Sequence, residues 1–210
     1  MKQIALRMAT MQDAVSILNI YRPYIENSAI TFEKEVPALQ KFKKRIAAIM
    51  EKYPYIVCCT NNKIVGYAYA YRYKERAAYQ WNAELSIYMQ KDFSGRKIGA
   101  ALYHVLIKIL QLQHIQNVYG CITTPNPASE KFHSDFGFSL VGICQKVGYK
   151  CGQWQDIAWY EKFIGTHANP PVPPLSINEL SSDTITKILR ECESLPMQTK
   201  QQEIRTGVDS

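Results

Sequence analysis

The 210-residue chain reads as an α/β protein of the α+β kind: a mixed, mostly antiparallel twisted sheet with helices on both faces. Three observations predict it. Seven short runs read as strands by their alternation and their β-branched and aromatic content. Four others carry apolar residues at the spacing of one helix face. Their order is strand, two helices, three or four strands, helix, strand, helix, two strands, which covers both faces of a sheet.

Each element has a local reason. Ile4 to Arg7 is a short strand. From Met11 to Tyr24, Ala14, Val15, Ile17, Leu18 and Tyr21 form a helical stripe that Thr10 or Asp13 can cap. Residues 36–52 make a second helix, entered through Pro37. Tyr55–Thr60 and Lys63–Tyr73 are strands joined by the turn residues Asn61 and Asn62, a hairpin. The second strand sets Tyr67, Tyr69, Tyr71 and Tyr73 on one face, as cross-strand packing or as the wall of a ligand site. Ala83–Met89 is a strand, and Ile98–Gln113 a helix with its stripe at Leu102, Val105, Leu106, Ile109 and Leu110. Val118–Thr123 is a strand, Ala128–Phe136 a short helix closed by Gly137, and Phe138–Lys150 with Trp154–Phe163 a final strand pair.

At Gly165 the composition changes. Asn169-Pro170-Pro171-Val172-Pro173-Pro174 is a polyproline-like spacer. Beyond it, Leu180, Ile185, Ile188 and Leu189 give residues 177–192 a weak amphipathic face. The chain therefore divides into a domain over 1–164 and a tail over 165–210, partly disordered, with one docked or transient helix.

Composition removes several classes. Apolar residues are 47% and charged residues 20% of the chain, the balance of a folded globular protein rather than a disordered one. No apolar run approaches the roughly 20 residues that span a bilayer, so no membrane partner is expected. Residues 1–7 carry no apolar core before a cleavage site, so the expected location is the cytoplasm. The six cysteines include no C-x-x-C pair and no histidine pair at ligand spacing near them, so no metal is expected. Cys58 and Cys59 sit in an apolar run as small buried hydrophobes. The net charge is +7. Its densest run, Lys41 to Arg45, lies at helical spacing with Phe42, Ile46 and Ile49 and reads as a solvated helix face, not as a nucleic-acid site. A polyanionic cofactor accounts for the charge as well.

The most informative stretch is Ile87 to Gly99: a strand, a loop with glycine and basic residues, then a helix. Backbone N–H groups at such a corner lack partners inside the helix, and with the positive end of its dipole they suit a phosphate or pyrophosphate. Around it stand Ala29-Ile30-Thr31-Phe32-Glu33, Val65-Gly66-Tyr67-Ala68-Tyr69-Ala70, Arg76-Ala77-Ala78-Tyr79-Gln80-Trp81 and Glu84-Leu85-Ser86-Ile87-Tyr88-Met89. Ile98-Gly99-Ala100-Ala101-Leu102-Tyr103, Pro125-Asn126-Pro127-Ala128-Ser129, Phe132-His133 and Val147-Gly148-Tyr149-Lys150-Cys151-Gly152-Gln153-Trp154-Gln155-Asp156 follow in order.

In these segments, over roughly residues 3–164, the chain resembles the GNAT N-acetyltransferases, and within them the phosphinothricin and methionine sulfoximine/sulfone acetyltransferase branch. The resemblance implies acetyl-CoA as cosubstrate. It implies that the backbone of Ile87, Tyr88 and Met89 binds the pantetheine arm and that Gly95, Arg96, Lys97, Ile98, Gly99 and Ala100 cradle the pyrophosphate. Asn126 would touch the cofactor near the second helix. The family usually has Gln or Arg at position 94 and glycine at 97; this chain has Ser94 and Lys97. The resemblance also implies a homodimer, because part of the substrate wall comes from a second subunit.

An amine attacks only when neutral, so a base helps, and a carboxylate in an apolar site has its pKa raised toward that task. Glu84 suits this role, directly or through water; the alternative is a glutamate that only orients the ammonium. A departing thiolate needs an acid or donors, and an imidazole titrates in the useful range. The resemblance sets His133 there; otherwise it is a surface helix histidine. For a substrate carboxylate or polar head it points to Lys74, Glu75 and Arg76, Arg76 first as a bidentate partner, with Glu33, Trp81 and Tyr149 as further wall. The expected reaction is acetyl transfer to the α-amine of a small amino acid or analogue. The alternatives are a protein or peptide N-acetyltransferase and a non-catalytic acyl-CoA sensor.

Overall fold

A computed structural model describes residues 4–93 and 98–193. The strands are β1 (Ile4–Met8), β2 (Tyr55–Thr60), β3 (Lys63–Arg72), β4 (Asn82–Met89), β5 (Asn117–Thr124), β6 (Ser139–Lys150) and β7 (Gln153–Phe163). They form one sheet in the order β1-β2-β3-β4-β5-β7-β6. Only β4 and β5 run parallel; every other neighbouring pair is antiparallel. The expected mixed, mostly antiparallel sheet is what forms. Asn61 and Asn62 take the β2–β3 turn with φ of 51° and 60°, a left-handed pair that asparagine tolerates better than most residues.

Helices α1 (Ala14–Asn27) and α2 (Leu39–Met50) cover one face, burying Ile17, Leu18, Ile25, Phe42 and Ile46 against β2 and β3. On the other face lies α3 (Ile98–Leu112), whose expected stripe, Leu102, Val105, Leu106, Ile109 and Leu110, is fully buried. Each such side chain contributes on the order of 1.5–3 kcal/mol of transfer free energy. The short α4 (Pro127–Asp135) follows β5 and is closed by Gly137 at φ 76°, the left-handed stop that glycine supplies. The third strand ends at Arg72, one residue before the sequence reading, because the Tyr73 ring leaves the ladder to stack on Tyr119 at 4.0 Å.

Of the two states expected for the tail helix, the structure has the docked one. Helix α5 (Ser182–Glu193) lays Ile185, Ile188, Leu189 and Cys192 into the same core as α3, Ile4 and Leu6. The Glu193 carboxylate accepts from the Leu6 N–H at 2.7 Å, on the outer edge of the sheet. The spacer before α5 is strapped down by its own carbonyls: Val172 accepts from the Trp81 indole (2.7 Å), Pro173 from His114 Nδ1 (2.9 Å) and Leu175 from Gln113 Nε2 (2.8 Å). Among the described residues no helix is long and apolar enough to cross a membrane.

Candidate active site

Pairing between β4 and β5 stops at Glu84–Tyr119, after which the two strands part into a fork. The reason is local. The Gln90 N–H bonds the Val65 carbonyl of β3, so by antiparallel alternation Tyr88 also turns its backbone to β3, while Ile87 and Met89 turn theirs into the fork. Tyr24 of α1 fills one of these places: its hydroxyl donates to the Met89 carbonyl (2.6 Å) and accepts from the Met89 N–H (3.2 Å). Of the three residues expected to present backbone to pantetheine, Ile87 is the one on the open edge.

The fork opens into a cleft lined by Ile87, Tyr103, Gly120, Asn126, Ser129 and His133, among others. Asn126 caps α4, its Oδ1 accepting from Ser129 N at 3.2 Å, so a ligand would meet its Nδ2 donors. His133 is 3% exposed and is not the surface residue of the alternative reading. Its Nδ1 lies 2.8 Å from the Ser129 carbonyl, which can only accept, so Nδ1 carries the proton and Nε2 is the acceptor of a neutral ring. The Tyr103 O–H, 3.1 Å away, donates to that Nε2. Burial holds the imidazole below its ordinary pKa, against the Ser129 bond, which raises it. Room for the ring comes from β5: a Cβ on Gly120 would stand 2.7 Å from His133 Nε2.

On the other face of β4, an elongated trough of about 950 Å³ runs between the sheet and α2. Its floor includes Tyr69, Tyr71, Ser86 and Tyr88, and its walls include Glu33, Arg45, Glu75 and the strap residues Leu175 and Ser176. Ser86 and Tyr88 line both the cleft and the trough, so the two border the same stretch of β4. Glu84 shares their face of β4 and is hydrogen-bonded to Tyr71, its cross-strand partner. Burial pushes the Glu84 carboxyl above the usual glutamate value, and the Tyr71 hydrogen bond pulls the other way.

The remaining expected residues divide. Gly99 in the first turn of α3 would bring a Cβ within 3.3 Å of Ile87, so the helix start packs tightly on the fork; Ala100 follows it, half-buried, while Ile98 points into the core. Gly95, Arg96 and Lys97, with Ser94, lie outside the described residues. Glu75 reaches the trough and pairs with Arg72 at 3.0 Å. Lys74 does not: its ammonium lies over the Tyr73 and Tyr79 rings, 4.8 and 5.0 Å from their centroids. Arg76 is exposed at the head of a 3-10 turn, Ala77–Tyr79, outside the trough lining. Of the tyrosine row, Tyr67 is packing, 1% exposed and stacked on Tyr55, whereas Tyr69 and Tyr71 wall a site, so both readings hold on one strand.

Arg45 departs from the solvated-face reading. It turns inward to the Glu33 carboxylate and both line the trough. Tyr103 was visible only as a residue of the core helix, and nothing in its spacing marks the histidine that it meets 30 residues later.

Residues 6–159 match the acetyltransferase (GNAT) domain family, and the chain belongs to that family. It is an N-acyltransferase, and acetyl-CoA is its cosubstrate. Among relatives, the phosphinothricin N-acetyltransferase of Streptomyces viridochromogenes is 29% identical over 83% of this chain and 96% of its own length. The L-methionine sulfoximine/L-methionine sulfone acetyltransferase of Pseudomonas aeruginosa is 26% identical, covering 75% of this chain and 92% of its own. Among solved structures, a phosphinothricin acetyltransferase from Sinorhizobium meliloti in complex with acetyl-CoA superposes with a TM-score of 0.77 at 30% identity, covering 87% and 97% of the two chains. The site fits that cosubstrate: an open strand edge at Ile87 for an amide-bearing arm, and walls kept close by Gly99 and Gly120.

Proposed function

We propose that the chain acetylates the α-amine of a small amino acid or analogue, of the methionine sulfone, methionine sulfoximine or phosphinothricin type. The observation that carries this is that cleft and trough share Ser86 and Tyr88 as lining, with Glu84 on the same strand face. The named acceptors of the relatives supply the substrate class.

Acetyl-CoA supplies the thioester: the amine nitrogen bonds the acetyl carbon, the C–S bond breaks and sulfur leaves as thiolate. The acceptor arrives as an ammonium, and Glu84 takes its proton, helped by a carboxyl whose pKa burial has raised toward that of the amine. Tyr71 fixes the orientation of that carboxylate. The nitrogen gives up its second proton as the C–S bond breaks, and that proton reaches the thiolate through the Tyr103 Oη–His133 Nε2 pair, which ends as it began. Ile87 with Tyr88 and Met89, the α3 start at Ile98, Gly99 and Ala100 with Gly95, Arg96 and Lys97 ahead of it, and Asn126 hold the cosubstrate in this reading. Of Lys74, Glu75 and Arg76, Glu75 stands in the trough wall, and Lys74 and Arg76, outside that lining, must swing in to meet the acceptor's carboxylate or head group.

Residues 1–164 are the catalytic unit, and the protein acts as a cytoplasmic homodimer. Edge strand β6 supports the dimer: it exposes Leu140, Val141, Ile143 and Val147 on its way to Lys150, an apolar edge that soluble proteins cover or charge. Six free thiols suit a reducing compartment. CoA release on methionine sulfone, methionine sulfoximine and phosphinothricin tests the reaction. Acetyl-CoA binding with no turnover on these or on free amino acids would refute it.

A further inference from the structure

The trough is larger than a small amino acid requires. At about 950 Å³ it lies at the upper end of small-molecule sites, which span roughly 300–1,000 Å³. Part of its wall is the segment Pro174-Leu175-Ser176, beyond residues 6–159 that define the family domain.

That segment is fixed in place by its backbone. The Leu175 N–H donates to the Gln113 carbonyl at 3.1 Å, and the Leu175 carbonyl accepts from Gln113 Nε2 at 2.8 Å. Gln113 Nε2 also reaches the Lys52 carbonyl (2.7 Å), and the Ser176 hydroxyl donates to the Glu51 carbonyl (2.7 Å). The strap is thus sewn to the ends of α2 and α3, with Leu175 in the trough lining.

The reach follows from what shares the trough. Tyr71, the cross-strand partner of Glu84, lines it, and so does Leu175. An acceptor whose amine meets Glu84 beside Tyr71 extends along the trough, and a side chain long enough to reach Leu175 stops there.

We propose that Leu175 sets the maximum acceptor length, so that the trough takes α-amines with elongated apolar side chains up to that wall. The proposal rests on the reading that the acceptor amine reacts beside Glu84 in this trough.

The test is a ladder of S-alkyl homocysteine sulfones, from S-methyl to S-hexyl, turned over by the full-length enzyme and by Leu175→Trp and Leu175→Ala. The expectation is a KM for the S-hexyl member raised about tenfold in Leu175→Trp and lowered severalfold in Leu175→Ala, since each methylene that must be fitted or excluded is worth about tenfold or more. The KM values for the S-methyl member and acetyl-CoA should stay within about twofold. A change uniform along the ladder, or no change in either variant while both melt like wild type, overturns the assignment of the strap. If wild-type enzyme turns over no member although it binds acetyl-CoA, the reading of the reaction fails instead, and this proposal with it.

Discussion

Gly120 is where the arrangement of the cleft is most exposed to a single atom. Gly120→Ala sets a Cβ 2.7 Å from His133 Nε2 and 2.9 Å from its Cδ2. Carbon and nitrogen rest at about 3.5 Å or more, so the imidazole must retreat by roughly 0.8 Å. It has little room, being ringed by Tyr103, Phe132, Phe138 and Tyr160. Overpacking of this kind costs about 1–3 kcal/mol, which in a chain of this size lowers Tm by several degrees. Displacement of a reacting group by nearly 1 Å costs up to about 10²-fold in rate, so kcat should fall much further than stability. The assay is CoA-thiol release with acetyl-CoA and methionine sulfone, beside a melting curve. Gly142→Ala is the control, because no heavy atom lies within 4 Å of its added Cβ. If Gly120→Ala keeps wild-type kcat and Tm, the packing of His133 against β5 does not matter to the reaction.

Four further outcomes follow from the same groups. Glu84→Gln should lower kcat at least about tenfold with a near-normal Tm, in line with loss of a general base; normal turnover would remove its role. Because ionised Glu84 is the active form and its pKa is raised, the acid limb of kcat/KM should lie above ordinary glutamate, about 4.3. Tyr71→Phe, which removes a bond that favours the ionised form, should move that limb upward; an unmoved limb would assign it to another group. His133 has a depressed folded pKa, so it binds its proton more readily unfolded, and the folded state loses stability as pH falls through the unfolded value near 6.5. His133→Gln should therefore lose less Tm than wild type between about pH 7 and 5.

What was legible in the sequence follows from periodicity. The stripe of α3 and the hairpin at Asn61-Asn62 are fixed by local rules, and both formed where expected. The branch-specific segments carried the family, and with it Glu84, Ile87 and His133. Partners that depend on long-range pairing were not legible. Tyr103 looks like any core residue of its helix until α4 packs beside it. Arg45 sits in a run of surface cations, and only the path of the α1–α2 loop brings Glu33 to it. The strap reads as a polyproline-like spacer, because composition says nothing of the carbonyls that Trp81, His114 and Gln113 will capture.

The bond from Leu6 to Glu193 also bears on how the molecule comes into being. The first strand cannot complete its packing until Ile185, Ile188 and Cys192 have been synthesised, since they share a core with Ile4 and Leu6. A contact spanning 187 positions is costly to close and comes late in folding. During translation the nascent chain therefore carries an uncovered outer strand, the kind of edge on which neighbouring chains pair. Docking of α5 removes that hazard once residues 182–193 have been made, so a chain cut short before residue 182 should reach the soluble fraction poorly even with every catalytic group present.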